Sequence, residues 1–257
     1  MRLYKYRSLT GSAYEYTLDV IRTQQLYFSS PDKFNDPFEF RPIISMECTD
    51  AEFASYLDGL YARRMPWLNR AQRRESVAAV MRDKSRNHRS SEAAKVMTES
   101  MAQLTRKCGV FCLSEDPANL LMWAHYADCH AGICIGFDGA STNTFFGRAQ
   151  SVSYSNTYPV VNIIRDHPKS FHEKGVLTKA DFWAYEKEWR IIEHEKGAGV
   201  YQFNVNHLEE IIFGLNTPAA SVSAVKAACT SAGMHPRYYR VRPHATEFRL
   251  ELADDNV

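Results

Sequence analysis

The chain has 257 residues, 45% hydrophobic and 24% charged, with 31 Lys and Arg against 30 Asp and Glu for a net charge of +1. Those fractions are ordinary for a soluble globular protein, and no apolar run approaches the ~18 residues of a membrane span. The opening "MRLYKYRSLT" has no apolar signal-peptide core, so export is not expected and a cytoplasmic chain is.

In chain order, "RLYKYRS" alternates like a strand. Residues 12–24 then place Ala13, Tyr16, Leu18 and Ile21 on a helical stripe. "QLYFSS" reads as a second strand, closed by "PDKFNDPF", where Asn35-Asp36-Pro37 signals a turn anchored by Phe34 and Phe38. "TDAE" at Thr49 to Glu52 fits a capping box and opens a helical region to about residue 107. The breaks "MPWLN" and "KSRNHRSS" divide that region into three helices, with Asn69 and Ser91 as caps. "CGVFCLS" is a buried strand, "EDPANLLMWAHYAD" a short helix entered at Pro117, and "GICIGFD" another strand. "QSVSYS" and "YEKEWRII" follow as strands. "LEEIIFG", a helix capped at Thr217-Pro218 and ended by Gly233, and "RYYRVRP" close the pattern. The expected fold is α+β, a mixed or antiparallel sheet with a helical insertion between the first and the central strands. Residues 1–257 are expected to form one domain, with the insert at about 50–107.

The near-zero charge hides an asymmetry. From Leu60 to Ser90 there are nine Lys or Arg against Glu75 and Asp83, a net +7 that leaves −6 on the rest. Arg70, Arg73 and Arg74 share a helix face, with Trp67, Leu68 and Val77 turned inward. Such a patch suits phosphate backbones or an acidic protein partner, or is simply a solvated face. Cys112 and Cys134 sit in apolar strands and read as buried thiols of a reducing compartment. Cys108 and Cys112 on one strand stand about 13 Å apart, too far to share a zinc ion, and no metal site is expected. No P-loop, G-x-S-x-G or HExxH pattern is present.

Two clusters carry chemistry. In "YEKEWRII" a strand would line Glu186, Glu188 and Arg190 along one face, with Lys187, Trp189 and Ile191 on the other. That is either a catalytic carboxylate pair or a salt-bridged ladder. In "MWAHYADCH", His125 lies on a helix beside Met122 and Tyr126, where it would meet ligand phosphates, exchange a proton, or be a buried residue bonded to a carbonyl.

Taken together, "LYKYRS", "LYFSSPDKFNDPFEF", "LMWAHYADCHAGICIGFD" and "YEKEWR" resemble a bacterial family known as domain of unknown function 2971. The order of strand with Arg7, helix, strand with "YFSS" and a late Glu-x-Glu is also similar to the plan of ADP-ribosyltransferases. That resemblance implies NAD⁺ as substrate, with Arg7 on the pyrophosphate and Tyr27 with Ser29 or Ser30 on the nicotinamide side. Glu188 would lie beneath the ribose and Glu186 would face the acceptor. Asn35 and Asp36 would contact ribose or base, His125 the phosphates, and Tyr6, Tyr27 or Phe28 the nicotinamide ring. The residue types suit the reaction, because breaking the nicotinamide–ribose bond develops positive charge that a carboxylate stabilises. Two functions are therefore expected as alternatives. One is an NAD⁺-dependent ADP-ribosyltransferase-like enzyme, a toxin or phage-defence effector acting on nucleic acid or protein. The other is a non-catalytic module binding nucleic acid or a partner through residues 60–90.

Overall fold

A computed structural model describes residues 1–83 and 91–255; Lys84, Arg86 and Arg89 of the basic stretch lie outside them. Strand β1 (Arg2–Arg7) leads through helix α1 (Ala13–Thr23) to β2 (Gln25–Phe28). Next come β3 (Ile43–Ser45), helices α2 (Asp50–Arg64), α3 (Arg70–Arg82) and α4 (Ser91–Arg106), then β4 (Gly109–Ser114), α5 (Leu120–Tyr126) and β5 (Ile133–Asp138). Short strands β6 (Gln150–Ser151), β7 (Ser153–Ser155) and β8 (Val160–Asn162) precede α6 (Pro168–Val176) and β9 (Thr178–Ala180). The order ends with β10 (Glu188–Glu193), β11 (Gly199–Gln202), β12 (Leu208–Phe213), α7 (Ala219–Ser231), β13 (Arg237–Pro243) and β14 (Leu250–Asp254).

The chain divides into two compact units: Met1–Pro37 with Arg106–Asn156 and Lys179–Val257, and Phe38–Thr105 with Thr157–Thr178. The second unit holds the expected insert of about 50–107 and also the later segment that carries β8 and α6.

In the first unit an eight-stranded sheet runs β14-β13-β12-β5-β1-β4-β10-β6. The central pairs are antiparallel, while β12 and β13 are parallel and joined by α7, so the sheet is mixed and the fold is α+β. Alternation along the strands decides which side chains share a face. Leu3, Phe111, Leu113, Ile133, Ile135 and Ile191 enter one apolar cluster with Leu18 and Ile21 of α1 and Val225 of α7. Tyr4, Tyr6, Cys134 and Ile212 enter another with Met122 and Trp123 of α5, where Trp123 meets the edge of Tyr6 at 5.2 Å. Helices α1 and α7 therefore cover one face, and α5 covers the other.

The second unit holds the α2–α3 hairpin and the parallel pair β3–β8. Phe53 and Leu57 of α2 close on Val77 of α3. Both helix starts carry complete capping boxes, Thr49 with Glu52 and Asn69 with Gln72, as their sequences require.

Several local expectations change. The α1 stripe is Thr17, Leu18, Val20 and Ile21, while Tyr16 is exposed. Phe38 faces outward and does not anchor the turn, and Trp67 is exposed as well, the α2–α3 core being made by Phe53, Leu57 and Val77. Helix α5 begins three residues later than Pro117 suggests, since Asn119 accepts from the Leu121 and Met122 amides and is the cap. Thr217 does not cap α7; its hydroxyl donates to the Gly132 carbonyl at 2.7 Å. Removing the α2 cap by Thr49→Ala is expected to cost about 1 kcal/mol, read as faster amide exchange across the first turn of α2.

Candidate functional site

At the β10 end of the sheet, two carboxylates and two cations are buried together. Glu186, Glu188 and Lys179 are 4%, 4% and 6% exposed, and Arg190 is fully buried. The sequence expectation of one continuous strand carrying both glutamates is corrected here. Glu186 ends a 3₁₀ turn over Asp181–Glu186, Lys187 takes a left-handed conformation (φ 44°), and β10 begins only at Glu188. The reversal at Lys187 still brings the glutamates to one cation: Lys179 Nζ donates to Glu186 Oε2 at 2.6 Å and to Glu188 Oε2 at 3.1 Å.

Each glutamate then has its own second partner. Arg190 grips both oxygens of Glu188 along one guanidinium edge, Nε to Oε1 at 2.8 Å and Nη2 to Oε2 at 2.9 Å. The Tyr126 hydroxyl donates to Glu186 Oε1 at 2.7 Å, and the Asn35 side chain hydrogen-bonds Tyr126 in turn. The backbone is tied into the same cluster. The Ser114 hydroxyl donates to the Glu186 carbonyl at 2.6 Å, and the Glu188 amide donates to the Tyr154 hydroxyl at 2.7 Å. Aromatic faces flank the cations, with Phe34 5.8 Å from the Arg190 guanidinium and Trp183 5.0 Å from Lys179 Nζ.

The electrostatics follow from burial and pairing. Burial alone would push the Glu188 carboxyl up, but the charge and hydrogen bonds of Arg190 and the charge of Lys179 outweigh it and hold the group at about 2. The Tyr154 hydroxyl is pushed up to about 12, by burial first and by the charges of Glu188 and Glu186 next. Burial and then the Glu186 hydrogen bond raise Tyr126 in the same way. The Cys112 thiol, bonded to Glu188, is also raised by burial and is no thiolate nucleophile.

The proposed nicotinamide-side residues do not gather here. Arg7 shares the Leu3 face of β1, opposite Ile133, and its guanidinium donates to Thr17 Oγ1 and the Tyr16 carbonyl of α1. Glu188 and Arg190 alternate with Ile191 and so point to the α5 face. Arg7 and the glutamates are therefore on opposite sides of the sheet, a geometry fixed by strand parity. Tyr27 is exposed on β2 and pairs along the backbone with Val200. Ser29 bridges to Val110, and the Ser30 hydroxyl donates to the Arg106 carbonyl. Tyr6 and Phe28 are core residues; the Tyr6 hydroxyl is bound to the Asp116 carbonyl, and Phe28 stacks on Phe111.

Asn35 reaches the cluster through Tyr126, and Asp36 beside it is buried. His125 is exposed on α5, 6.3 Å from the Tyr185 ring, and is not a buried core histidine. In the second unit Arg70 and Arg74 are exposed, whereas Arg73 is bound to Asp58 and the Leu68 carbonyl. None of the six cysteines is in a disulfide, and Cys108 lies 3.3 Å from His194 Nδ1. Among the described residues no helix is long and apolar enough to cross a membrane.

Lys179 is the participant that sequence reading passes over. A lone lysine in "LTKADFW" carries no spacing signal, and only the turn at Lys187 shows that it bridges both glutamates.

Fold and site together define a mixed-sheet α+β protein with a buried, ion-paired centre at one end of its main sheet. The model of the family described as "Protein of unknown function (DUF2971)" matches residues 122–191, which supports the family resemblance carried by the motifs. The matched segment spans Tyr126, Lys179, both glutamates and Arg190. No curated protein and no solved structure matches the chain.

Arg190→Met leaves Glu188 buried without its main partner and is expected to cost about 3–5 kcal/mol. The double variant Glu188→Leu with Arg190→Met should recover most of that loss in a denaturation series. Because the Glu188 carboxyl is depressed below its ordinary 4.5 to about 2, its contribution is complete above about pH 4.5. It should fall away as pH drops toward 2, and a Glu188→Gln variant should show a flatter stability profile over that window.

Proposed function

We propose that this chain is an NAD⁺-dependent ADP-ribosyltransferase-like enzyme whose chemistry is centred on Glu186. The observation that carries the reading is convergence. Asn35, Tyr126 and Glu186 come from three distant sequence motifs and share one hydrogen-bonded chain, beside the rings of Tyr185 and His125. In this reading the Tyr126 hydroxyl holds the position that a ribose hydroxyl takes when substrate enters. Glu186 then lies against the ribose as the C1′–nicotinamide bond breaks, with the bonding pair leaving on nicotinamide. The acceptor atom bonds to C1′, and its proton is lost to a carboxylate or to solvent. Glu188 is a positioning residue: held by Arg190, it keeps Lys179 shared between the two carboxylates. Arg7, Tyr27, Ser29 and Ser30 have no part in it. The setting proposed is a bacterial cytoplasm, and the role a toxin or phage-defence effector acting on nucleic acid or protein.

The test is nicotinamide release from NAD⁺ by the full chain, with and without RNA, DNA or protein acceptors. Wild type should release nicotinamide, and Glu186→Gln should lower the rate per folded molecule by about a hundredfold or more, beyond the fall in melting temperature expected from removing one charge of the buried cluster. Arg7→Gln should leave the rate as it is. Absence of nicotinamide, together with no shift of melting temperature by NAD⁺, would remove the proposal.

A second reading, a nucleic-acid-binding module, has its own support. Trp67 is 73% exposed in the connection between Arg63 and Arg64, at the end of α2, and Arg70 and Arg74, at the start of α3. An exposed ring among arginines suits stacking on a base beside phosphates. If this surface carries the function, Arg70→Glu with Arg74→Glu should abolish nucleic-acid binding in a filter or mobility assay, and Glu186→Gln should leave it intact.

A further inference from the structure

The second unit carries a groove on the side of α2 that presents Ser55, Tyr56, Gly59 and Arg63, with a volume of about 480 Å³. That lies within the ~300–1,000 Å³ of small-ligand sites. The helical repeat sets the lining: positions 52, 55, 56, 59 and 63 follow one stripe of the helix. Opposite them stand Ile164 and Arg165.

Both walls are held in place before any ligand arrives. Asn162 Oδ1 accepts from the amides of Ile164 and Arg165 at 3.0 and 3.1 Å. Asp166 Oδ2 accepts from the Asn162 amide at 2.9 Å and from Lys174 Nζ at 2.7 Å. On the helix side Arg165 is locked to Glu52, Nε to Oε1 at 2.9 Å and Nη2 to Oε2 at 3.0 Å. Arg63 has no carboxylate partner among the described residues, so it is the cation left for an anionic ligand.

Gly59 supplies a second, independent sign. A glycine inside a helix costs about 1 kcal/mol relative to alanine, and packing does not require one here. A Cβ at position 59 would meet only the far end of Arg63, at 3.5 Å. The glycine leaves this stretch of the groove lining without a side chain beside the Arg63 guanidinium.

We infer that this groove binds a nucleoside 5′-phosphate, free or at the end of a nucleic-acid strand. The phosphate lies on Arg63, the base against Tyr56 and Ile164, and a sugar hydroxyl within reach of Ser55. A guanidinium is the natural partner of a phosphate, and an aromatic ring beside an aliphatic side chain forms a face for a planar base. The inference rests on the second unit alone and holds whether or not Glu186 is catalytic.

Calorimetric titration of the full chain with AMP, adenosine, inorganic phosphate and short RNAs bearing a 5′-phosphate or a 5′-hydroxyl tests it. AMP should bind more tightly than adenosine or phosphate, and Arg63→Ala should weaken it about tenfold. Gly59→Leu should abolish binding while the melting temperature holds or rises, because leucine favours the helix and fills the groove. Binding of the 5′-phosphorylated RNA with AMP-like sensitivity to both variants assigns the source to a strand end; binding of AMP alone assigns it to free nucleotide. No binding of AMP or of phosphorylated RNA at millimolar concentration would overturn the inference. Binding that ignores both variants, or equal affinity for the two RNAs with none for AMP, would do so as well.

Discussion

The constraint on which the first unit depends is that a charge taken out of water must be matched within the protein. Glu188 is 4% exposed and Arg190 fully buried, and neither is tolerable there alone. Their two parallel hydrogen bonds satisfy each other, and Lys179 extends the arrangement to Glu186, whose remaining oxygen is taken by Tyr126. The rest of this end of the sheet is arranged around that balance. The left-handed Lys187 turns Glu186 back toward Lys179, Ser114 and Tyr154 fix the backbone on either side, and the Asn35 turn reaches the same cluster through Tyr126.

Such a network has two consequences for function. Glu188 has both oxygens gripped by a guanidinium and one also by Lys179, so it is held as an anion down to low pH. Glu186 differs, because one of its partners is a neutral tyrosine hydroxyl, which exchanges for another hydroxyl at far less cost than a buried guanidinium does. That asymmetry moves the proposed chemistry from Glu188 to Glu186. In the proposed reading the pair that looks symmetric in "YEKEWR" has one supporting and one reacting member.

Much of this was legible in the sequence because it rests on local rules. Alternation gave β1, and short apolar runs gave β4 and β5; S/T-x-x-E spacing gave the start of α2; and "FNDPF" gave the turn that carries Asn35. The α+β class followed from their order. What escaped depends on tertiary geometry. The side of the sheet to which Arg7 belongs is a matter of parity relative to Leu3 and Ile133, and a chain plan borrowed from another family does not carry that information. Lys179 has no motif, and Trp67 looks like a core residue although Phe53, Leu57 and Val77 make the α2–α3 core. The turn at Lys187 was hidden because lysine rarely adopts positive φ, so the residues from Tyr185 onward read as uninterrupted strand.

The two units also differ in how they treat charge. The first buries one ion-paired cluster, Lys179, Glu186, Glu188 and Arg190, whereas the second keeps Arg63, Arg70 and Arg74 at its surface. The central claim concerns the first, that the Glu186 cluster receives the ribose of a dinucleotide. A crystal structure of the Glu186→Gln variant with NAD⁺ tests it most directly. The account predicts the nicotinamide ribose within hydrogen-bonding distance of residue 186, with the Tyr126 hydroxyl displaced and the Arg190–Glu188 pair unchanged. A dinucleotide bound on the Arg7 face, with Tyr126 still seated on residue 186, would contradict it.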